Sequence, residues 1–308
     1  MEFENHARPI FKPSSVCNRQ GTCKDEGRGE KGKAEEETPK ARQSSENMGR
    51  GVFKRAKSWY TVGRSPCGGG SGAVCPASPA RKEHTAEVFV RYRCLVLDHD
   101  DTVTDSTAKV HYPAFLKALE EQRPGVTMSL NEYFLFNFDP GFLEFCTDVL
   151  HMSDEEMERE YEIWDAYVKE HIPEMFPGMK RVIQRQLEAG GHVCVISHSM
   201  ADNIRRDYRA AGLPEPEIVF GWEQAPEHRK PSPWPLREIM KRLGLENKDL
   251  LMVDDLKPGY DMAKEAGVDF AAALWAYDVK EIHGFMRSSC ERCFSTPEEL
   301  EKWLFDEE

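Results

Sequence analysis

From Tyr92 onward, short apolar runs alternate with amphipathic stretches, and this alternation is the sequence feature that most constrains the fold. Each apolar run is three to six residues long, as expected for strands buried on both faces. Gly212, Gly244 and Gly267 stand where the intervening helices should end. The pattern predicts a doubly wound α/β fold, with helices on both faces of a parallel sheet. The predicted strands are 92–97, 192–196, 218–220, 250–253 and 270–273, and the predicted helices are 180–188, 202–211, 235–243 and 260–266.

A long insertion separates the first two predicted strands and carries only helical signals. Within it, Ser129 with Glu132 and Ser153 with Glu156 have the spacing of capping boxes, each of which opens a helix. A helical insertion after the first strand would lie over the sheet as a small second domain. We therefore expect an α/β core of residues 91–107 and 173–308 and an inserted all-helical cap of residues 108–172.

Residues 1–90 have a different composition. They are rich in Gly, Ser, Pro and charged residues, and segments such as 27–37 and 68–72 offer too little apolar area to offset their chain entropy. They contain 16 Lys and Arg against 11 Asp and Glu, whereas the rest of the chain contains 25 against 43. The sequence thus predicts a disordered, slightly basic tail on an acidic globular region.

The charge of the globular region excludes some classes of partner. A surface so acidic repels nucleic acid and anionic membranes, which favours a small molecule as the partner. No segment approaches the roughly 20 apolar residues that span a bilayer. The N-terminus lacks the features of a secretory signal, and nine acidic residues within positions 1–50 disfavour a transit peptide. We expect a cytoplasmic protein, with organelle targeting by the N-terminal extension left open; the oligomeric state cannot be predicted.

Polar side chains follow three of the predicted strands at their carboxyl ends, and a lysine precedes the fourth strand. In an open α/β sheet, ligands bind outside the carboxyl ends of the strands, so these groups should converge on one site. They are Asp98, Asp100, Ser197, His198, Lys230, Asp254 and Asp255.

This set of groups suits phosphoryl transfer. Clustered carboxylates need a cation, and an all-oxygen donor set favours Mg²⁺. One carboxylate can attack phosphorus to form an aspartyl-phosphate, while a second transfers protons to the leaving oxygen and from water. A lysine and a hydroxyl can neutralise and orient the phosphate oxygens.

The same residues match a known family. Residues 98–106 (DHDDTVTDS) resemble the DxDGTxxDS motif of the haloacid-dehalogenase-like (HAD) hydrolases. Ser197, Lys230 and the pair Asp254-Asp255 match the second, third and fourth motifs of that family, in order. Residues 253–267 (VDDLKPGYDMAKEAG) are most similar to the branch that contains phosphoglycolate phosphatases and β-phosphoglucomutases, whose members carry a helical cap.

The resemblance implies roles for the carboxylates. Asp98 would be the nucleophile and a metal ligand. Asp100 would be the general acid and base, and would bind the metal through its backbone carbonyl. Asp255 would complete the Mg²⁺ site, with Asp254 beside it as a further ligand or a supporting residue.

The resemblance also implies a phosphate site, and it has departures. Ser197 would hold a phosphate oxygen, and Lys230 would bridge the nucleophile and the phosphate. Asp101 stands where the motif usually has glycine and adds negative charge near the metal. His99 and His198 are unusual at their positions; either could contact the substrate or Asp101, or have a structural role only.

The expected activity is hydrolysis of a small phosphorylated metabolite through an aspartyl-phosphate, similar to phosphoglycolate phosphatase. Asp100 favours phosphate esters, because expulsion of a halide needs no proton. Two alternatives stay open: a sugar-phosphate mutase of the β-phosphoglucomutase type, and a catalytically silent binding protein with this fold.

Overall fold

The computed structural model describes residues 90–306, so the predicted tail of residues 1–90 lies outside the described residues except for Val90. Within the described range, six parallel strands form the main sheet and two short antiparallel strands form another. The strands are β1 (Cys94–Leu97), β2 (Thr104–Asp105), β3 (Glu174–Met175), β4 (His192–Ile196), β5 (Ile218–Phe220), β6 (Leu250–Asp254), β7 (Asp269–Ala273) and β8 (Arg292–Phe294). The order in the main sheet is β5–β4–β1–β6–β7–β8.

Helices join the strands, and short π-helical or 3₁₀ turns lie next to some of these elements. The α-helices of residues 90–306 are α1 (Tyr112–Gln122), α2 (Leu130–Phe138), α3 (Phe142–Glu144), α4 (Asp154–Glu170), α5 (Pro177–Glu188), α6 (Ala201–Ala210), α7 (Trp234–Leu243), α8 (Lys257–Ala266), α9 (Lys280–Ser289) and α10 (Pro297–Phe305). The π-helical turns are Thr107–His111 and Phe145–Val149, and the 3₁₀ turns are Pro226–His228 and Asn247–Asp249.

Both faces of the main sheet are covered, which confirms the doubly wound α/β fold. Successive side chains of β1 point to opposite faces. Cys94 and Val96 belong to one apolar core with side chains of α7, α8 and α9, whereas Leu95 and Leu97 belong to a second core with α5, α6 and α10. All four of these residues are fully buried.

The predicted strands and helices are confirmed, with ends that differ from the structure by at most three residues. The largest differences are at the starts of α5 and α8, where Pro177 and Pro258 lie inside the first turn. Proline is tolerated there because the first backbone N–H groups of a helix have no partner within the helix. The sequence reading missed α9 and β8.

Residues 107–170 fold as helices and their connections, with an apolar cluster of their own. Both predicted capping boxes are present: Ser129 accepts from the backbone N–H of Glu132, and Ser153 accepts from that of Glu156. The antiparallel pair β2–β3 flanks this segment, because Thr104 pairs with Met175. The cap limits of 108–172 stay a prediction. Among the described residues, no helix has the length and apolar character needed to cross a membrane.

The strand order places the site. The chain moves from β1 outward through β4 to β5, then returns to the other side of β1 to form β6, β7 and β8. Neighbouring connections therefore leave β1 in opposite directions, which opens a crevice at the carboxyl ends of β4, β1 and β6. The predicted functional residues follow these three strands or lie in the loop between β5 and α7.

Candidate active site

A buried lysine joins two of the predicted carboxylates. The Lys230 Nζ donates to Asp98 Oδ1 at 2.7 Å and to Asp254 Oδ2 at 2.8 Å. The three side chains are at most 6 % exposed, so their charges are little screened by water. Asp98 directly follows β1, and its backbone N–H donates to the Val253 carbonyl of β6. The sheet itself thus sets the position of the nucleophile candidate.

Asp255 stands beside this group. Its carboxylate accepts from the Tyr277 hydroxyl at 2.9 Å and from the Thr102 hydroxyl at 3.3 Å. Oxygen atoms of Asp98, Asp254 and Asp255 lie within 4.8 Å of one another. Because all three donors are hard oxygens, this set fits Mg²⁺.

The electrostatics of the cluster favour a cation. Burial raises the pKa of the Asp98 carboxyl to about 7; Asp254 and Asp100 add to the rise, and Lys230 opposes it. Burial likewise raises the pKa of Asp255 well above its ordinary value, reinforced by Asp254, Asp98 and Asp101. One lysine does not balance these carboxylates, so a divalent cation would relieve the repulsion that remains.

Asp254 is held on both oxygens. Oδ2 accepts from Lys230, and Oδ1 accepts from the backbone N–H of Leu256 at 2.8 Å. A Cβ atom at Gly259 would lie 2.1 Å from Asp254 Oδ2, so only glycine allows α8 to approach so closely. Of the two roles left open for Asp254, these contacts favour support of Lys230 and the loop.

Asp100 has a different environment, although it lies two residues from Asp98. Its Oδ1 accepts from Ser106 at 2.7 Å and hydrogen-bonds with His111 Nε2 at 2.8 Å. Its Oδ2 accepts from Ser199 at 2.6 Å and from Ser197 at 3.4 Å. Burial alone would raise the pKa of Asp100, but the attraction and hydrogen bond of His111, together with the hydroxyl donors, hold it below its ordinary value.

His111 connects Asp100 to the insertion. The indole N–H of Trp164 in α4 donates to His111 Nδ1 at 2.9 Å, and the two rings stack with centroids 6.0 Å apart. Since an indole nitrogen only donates, this contact belongs to the neutral imidazole, with a lone pair on Nδ1 and the proton on Nε2, facing Asp100. Helix α4 thus fixes the imidazole tautomer that donates to the predicted general acid. Against the effect of burial, Asp100 raises the pKa of His111; the imidazolium that this favours attracts Asp100 but gives up the bond from Trp164.

Asp101 has a structural explanation. Its φ is 58°, in the left-handed region where glycine is favoured and Asp is better tolerated than most residues. Its carboxylate accepts from the backbone N–H of Thr107 at 3.1 Å. This bond steadies the start of the helical insertion. Burial raises the pKa of Asp101 to about 6. Because this value still lies below neutral pH, the residue adds negative charge beside the site.

The two unusual histidines, His99 and His198, lie in different environments. His99 is buried, hydrogen-bonds through Nε2 with Asp207 Oδ2 at 3.1 Å, and stacks on Tyr208. It does not line the cavity described below, which favours the structural one of the two readings. His198 does line the cavity, and its Nε2 donates to the Lys230 carbonyl at 3.2 Å.

A cavity of about 440 Å³ opens above these residues, between the carboxyl ends of the strands and the helices of the insertion. All the predicted site residues line it except Asp254, which is completely buried beneath Lys230. Along with polar and aliphatic side chains, the insertion contributes five Phe, Tyr and Trp rings. They are Tyr133, Phe134, Phe142, Tyr161 and Trp164.

Sequence reasoning missed four residues that touch the predicted site: Tyr277, Ser199, His111 and Trp164. Ser199 had a signal, since it follows Ser197 at the same strand end. His111 lies 11 positions from Asp100, Tyr277 lies 22 positions from Asp255, and Trp164 lies 53 positions from His111. Only the packing of the insertion and of the segment after β7 brings them to the site.

Comparison with known proteins agrees with this geometry. The family model described as haloacid dehalogenase-like hydrolase matches residues 95–273. No curated protein matches the sequence. Several solved structures have a similar fold, each with low sequence identity.

A predicted phosphoglycolate phosphatase from Haemophilus somnus has a TM-score of 0.58 and 17% identity, over 69% of this chain and 98% of that one. A mutant of CbbY from Rhodobacter sphaeroides, in complex with xylulose-(1,5)bisphosphate, has a TM-score of 0.55 and 20% identity, over 68% and 96%. A haloacid dehalogenase-like hydrolase from Streptococcus pneumoniae has a TM-score of 0.55 and 16% identity, over 69% and 98%. With the family match spanning more than half of the sequence, the chain belongs to the haloacid dehalogenase-like hydrolases.

Proposed function

We propose that this protein is a Mg²⁺-dependent phosphatase that hydrolyses a small phosphorylated metabolite through an aspartyl-phosphate on Asp98. The observation that carries the proposal is the buried bridge from Lys230 to Asp98 and Asp254, with Asp255 alongside. A solvated loop lysine would not be buried between two carboxylates. The similarity in fold to phosphoglycolate phosphatase and to a sugar-bisphosphate complex supports a phosphate ester as substrate.

Asp98 would supply the attacking oxygen. Its Oδ1 accepts from Lys230, whose charge opposes the rise in the pKa of Asp98 and so favours the ionised carboxylate. As phosphorus is attacked, charge moves onto the phosphoryl oxygens, and Lys230 and the Ser197 hydroxyl are placed to stabilise it. The Asp98–phosphoryl bond forms while the ester bond breaks, and water later cleaves the acyl phosphate.

Bound between Asp98 and Asp255, Mg²⁺ would neutralise the carboxylates and polarise the phosphoryl group. These two residues, with the backbone carbonyl of Asp100, are the proposed ligands. Asp254 would act from beneath by holding Lys230, as its two occupied oxygens suggest.

Asp100 would transfer the protons. It must be protonated to assist departure of an alkoxide, whereas its present contacts keep it ionised. We infer that Asp100 leaves His111 and Ser199 when it acts as the acid, and returns to an ionised state when it activates water.

The test is release of inorganic phosphate from p-nitrophenyl phosphate by the full chain, with and without Mg²⁺. Hydrolysis should require Mg²⁺ and be lost in Asp98→Asn. The matched control is Asp261→Asn in α8, a side chain with no hydrogen bond or ion pair within residues 90–306. Turnover by Asp98→Asn equal to that of the control would remove Asp98 as the nucleophile.

The two alternatives have their own outcomes. Isomer interconversion of a sugar phosphate without net phosphate release would identify a mutase. Phosphate binding with no turnover of any ester would identify a silent binding protein. Mg²⁺-dependent release from aryl and alkyl phosphates supports the hydrolase.

A further inference from the structure

A buried acid in the insertion has no role in the chemistry proposed above. Glu160 of α4 is 5 % exposed and lines the cavity. Within residues 90–306, no group hydrogen-bonds or ion-pairs with its carboxylate. Burial raises the pKa of Glu160 to about 7, and His111 opposes the rise. The Glu160 oxygens are not among the fully buried unpaired atoms of the described residues, so they reach the cavity, where they are available to a ligand.

The charges around the cavity differ between its two sides. Among the described residues, the Lys and Arg side chains that line it are Arg229 and Lys230, both from the α/β core. Lys230 is committed to two aspartates, and Arg229 donates to the Gln224 carbonyl and covers the Trp222 ring at 4.1 Å. The insertion side carries Glu160, Glu144, aromatic rings and His111, which hydrogen-bonds to Asp100, and no Lys or Arg of residues 107–170 lines the cavity.

Such a surface suits a positive charge. Aromatic faces attract cations, most strongly when water is excluded, and a carboxylate completes an ammonium site. Trp164 and Tyr161 stand on the same helix as Glu160, within one turn of it, and line the same cavity. A carboxylate on the leaving group would instead meet like charge, because His111, the titratable base on that side, is already engaged by Asp100.

We propose that the insertion selects phosphate monoesters whose leaving group carries an amine, with Glu160 as the residue that binds the ammonium, and that it discriminates against carboxylate-bearing esters such as phosphoglycolate. This inference rests on the proposed phosphatase function and names its substrate class. The substrate class proposed for this chain thus differs from phosphoglycolate, the substrate named for a structural neighbour with 17% sequence identity.

The test is a matched set of ligands. Alkyl phosphates that end in an ammonium, a hydroxyl or a carboxylate are compared at two, three and four carbons, because the cavity of about 440 Å³ is larger than the shortest of them. Binding to the full-length Asp98→Asn variant with Mg²⁺ is measured by calorimetry, so the result does not depend on turnover. At the best chain length, the ammonium ester should bind roughly tenfold tighter than the hydroxyl ester, and the carboxylate ester weakest.

A second variant assigns the preference to one residue. Adding Glu160→Gln to the Asp98→Asn chain should bring the ammonium and hydroxyl esters to similar affinity, whereas Glu158→Gln, an exposed acid on the same helix, should leave their ratio unchanged. Equal or tighter binding of the carboxylate ester, no binding of any ammonium ester, or an unchanged ratio in Glu160→Gln would overturn the inference. Wild-type hydrolysis of p-nitrophenyl phosphate reports separately on the proposed function. If Glu160→Gln fails to fold, the order of affinities in the parent chain still decides.

Discussion

The two sides of the cavity solve the problem of buried charge differently. On the core side, buried carboxylates are paired or hydrogen-bonded: Asp98 and Asp254 share Lys230, and Asp255 accepts from Tyr277. On the insertion side, Glu160 is buried without a hydrogen bond or ion pair within the described residues. The difference indicates that the core side is complete before a substrate arrives, apart from its cation, whereas the insertion side is completed by the substrate.

Asp100 stands where the two sides meet. It belongs to the same loop as Asp98, yet it bonds to His111, which is held by Trp164 of the insertion. The pKa values of the two carboxyls are therefore shifted in opposite directions: that of Asp98 is raised and that of Asp100 is lowered. The insertion thus contacts the proposed proton-transferring group, while the sheet positions the proposed nucleophile.

The largest effect should come from breaking the core side. Lys230→Met removes the cation shared by Asp98 and Asp254, and kcat/KM for p-nitrophenyl phosphate should fall by about 10²–10³. Lys241→Met, at a side chain that is 80% exposed, is the matched control and should be neutral. A loss below tenfold for Lys230→Met would show that this pairing is not needed for catalysis, and that the core side is no more complete than the insertion side.

Sequence reasoning found the core side because that side depends on strand ends. Asp98, Ser197 and Asp255 follow buried strands, and parallel strands bring their carboxyl ends to one edge of a sheet. A short apolar run and the polar residue after it are both visible in the sequence. The place where these groups meet could be predicted for this reason.

The rest of the molecule lacked such a signal. Strand β8 is three half-buried residues, Arg292–Phe294, with no apolar run. His111 and Trp164 meet across 53 positions of sequence, and their contact depends on how α4 packs against α1. Glu160 has the appearance of any acid on a polar helix, since eight of the 17 residues of α4 are Asp or Glu. Its burial is a consequence of tertiary packing alone.

The acidity of the core side predicts how Mg²⁺ binding depends on pH. With the pKa of Asp98 raised to about 7 in the metal-free protein, a proton must leave before the cation binds below that pH. The apparent Kd for Mg²⁺ should therefore rise by at least roughly tenfold for each pH unit below 7. Calorimetry at pH 6, 7 and 8, in two buffers of different ionisation enthalpy, measures both the affinity and the released protons.

The raised pKa values of Asp98 and Asp255 also make the free energy of unfolding depend on pH, with a sign that can be checked. Their folded-state pKa values lie above the unfolded value of 3.8, so the unfolded chain ionises first. As pH rises from about 4 to 7, these groups should reduce the free energy of unfolding of the metal-free protein, and Mg²⁺ should restore it. A Kd for Mg²⁺ that does not change between pH 6 and 8 would contradict the raised pKa of Asp98.

The smallest effect should come from the link between the two sides. His111→Phe removes the donor to Asp100, so burial is less opposed and the pKa of Asp100 should rise. A larger protonated fraction at neutral pH helps only leaving groups that need a proton, because p-nitrophenolate departs without one. The rate for an alkyl phosphate relative to p-nitrophenyl phosphate should therefore increase a few-fold, and the basic limb of its pH profile should move to higher pH.

His111→Gln, which can still donate, should show a smaller change, and Trp164→Phe should weaken the link without removing the imidazole. If both substrates change by the same factor in His111→Phe, the insertion positions Asp100 without setting its proton affinity, and the contrast between the two sides reduces to charge pairing alone.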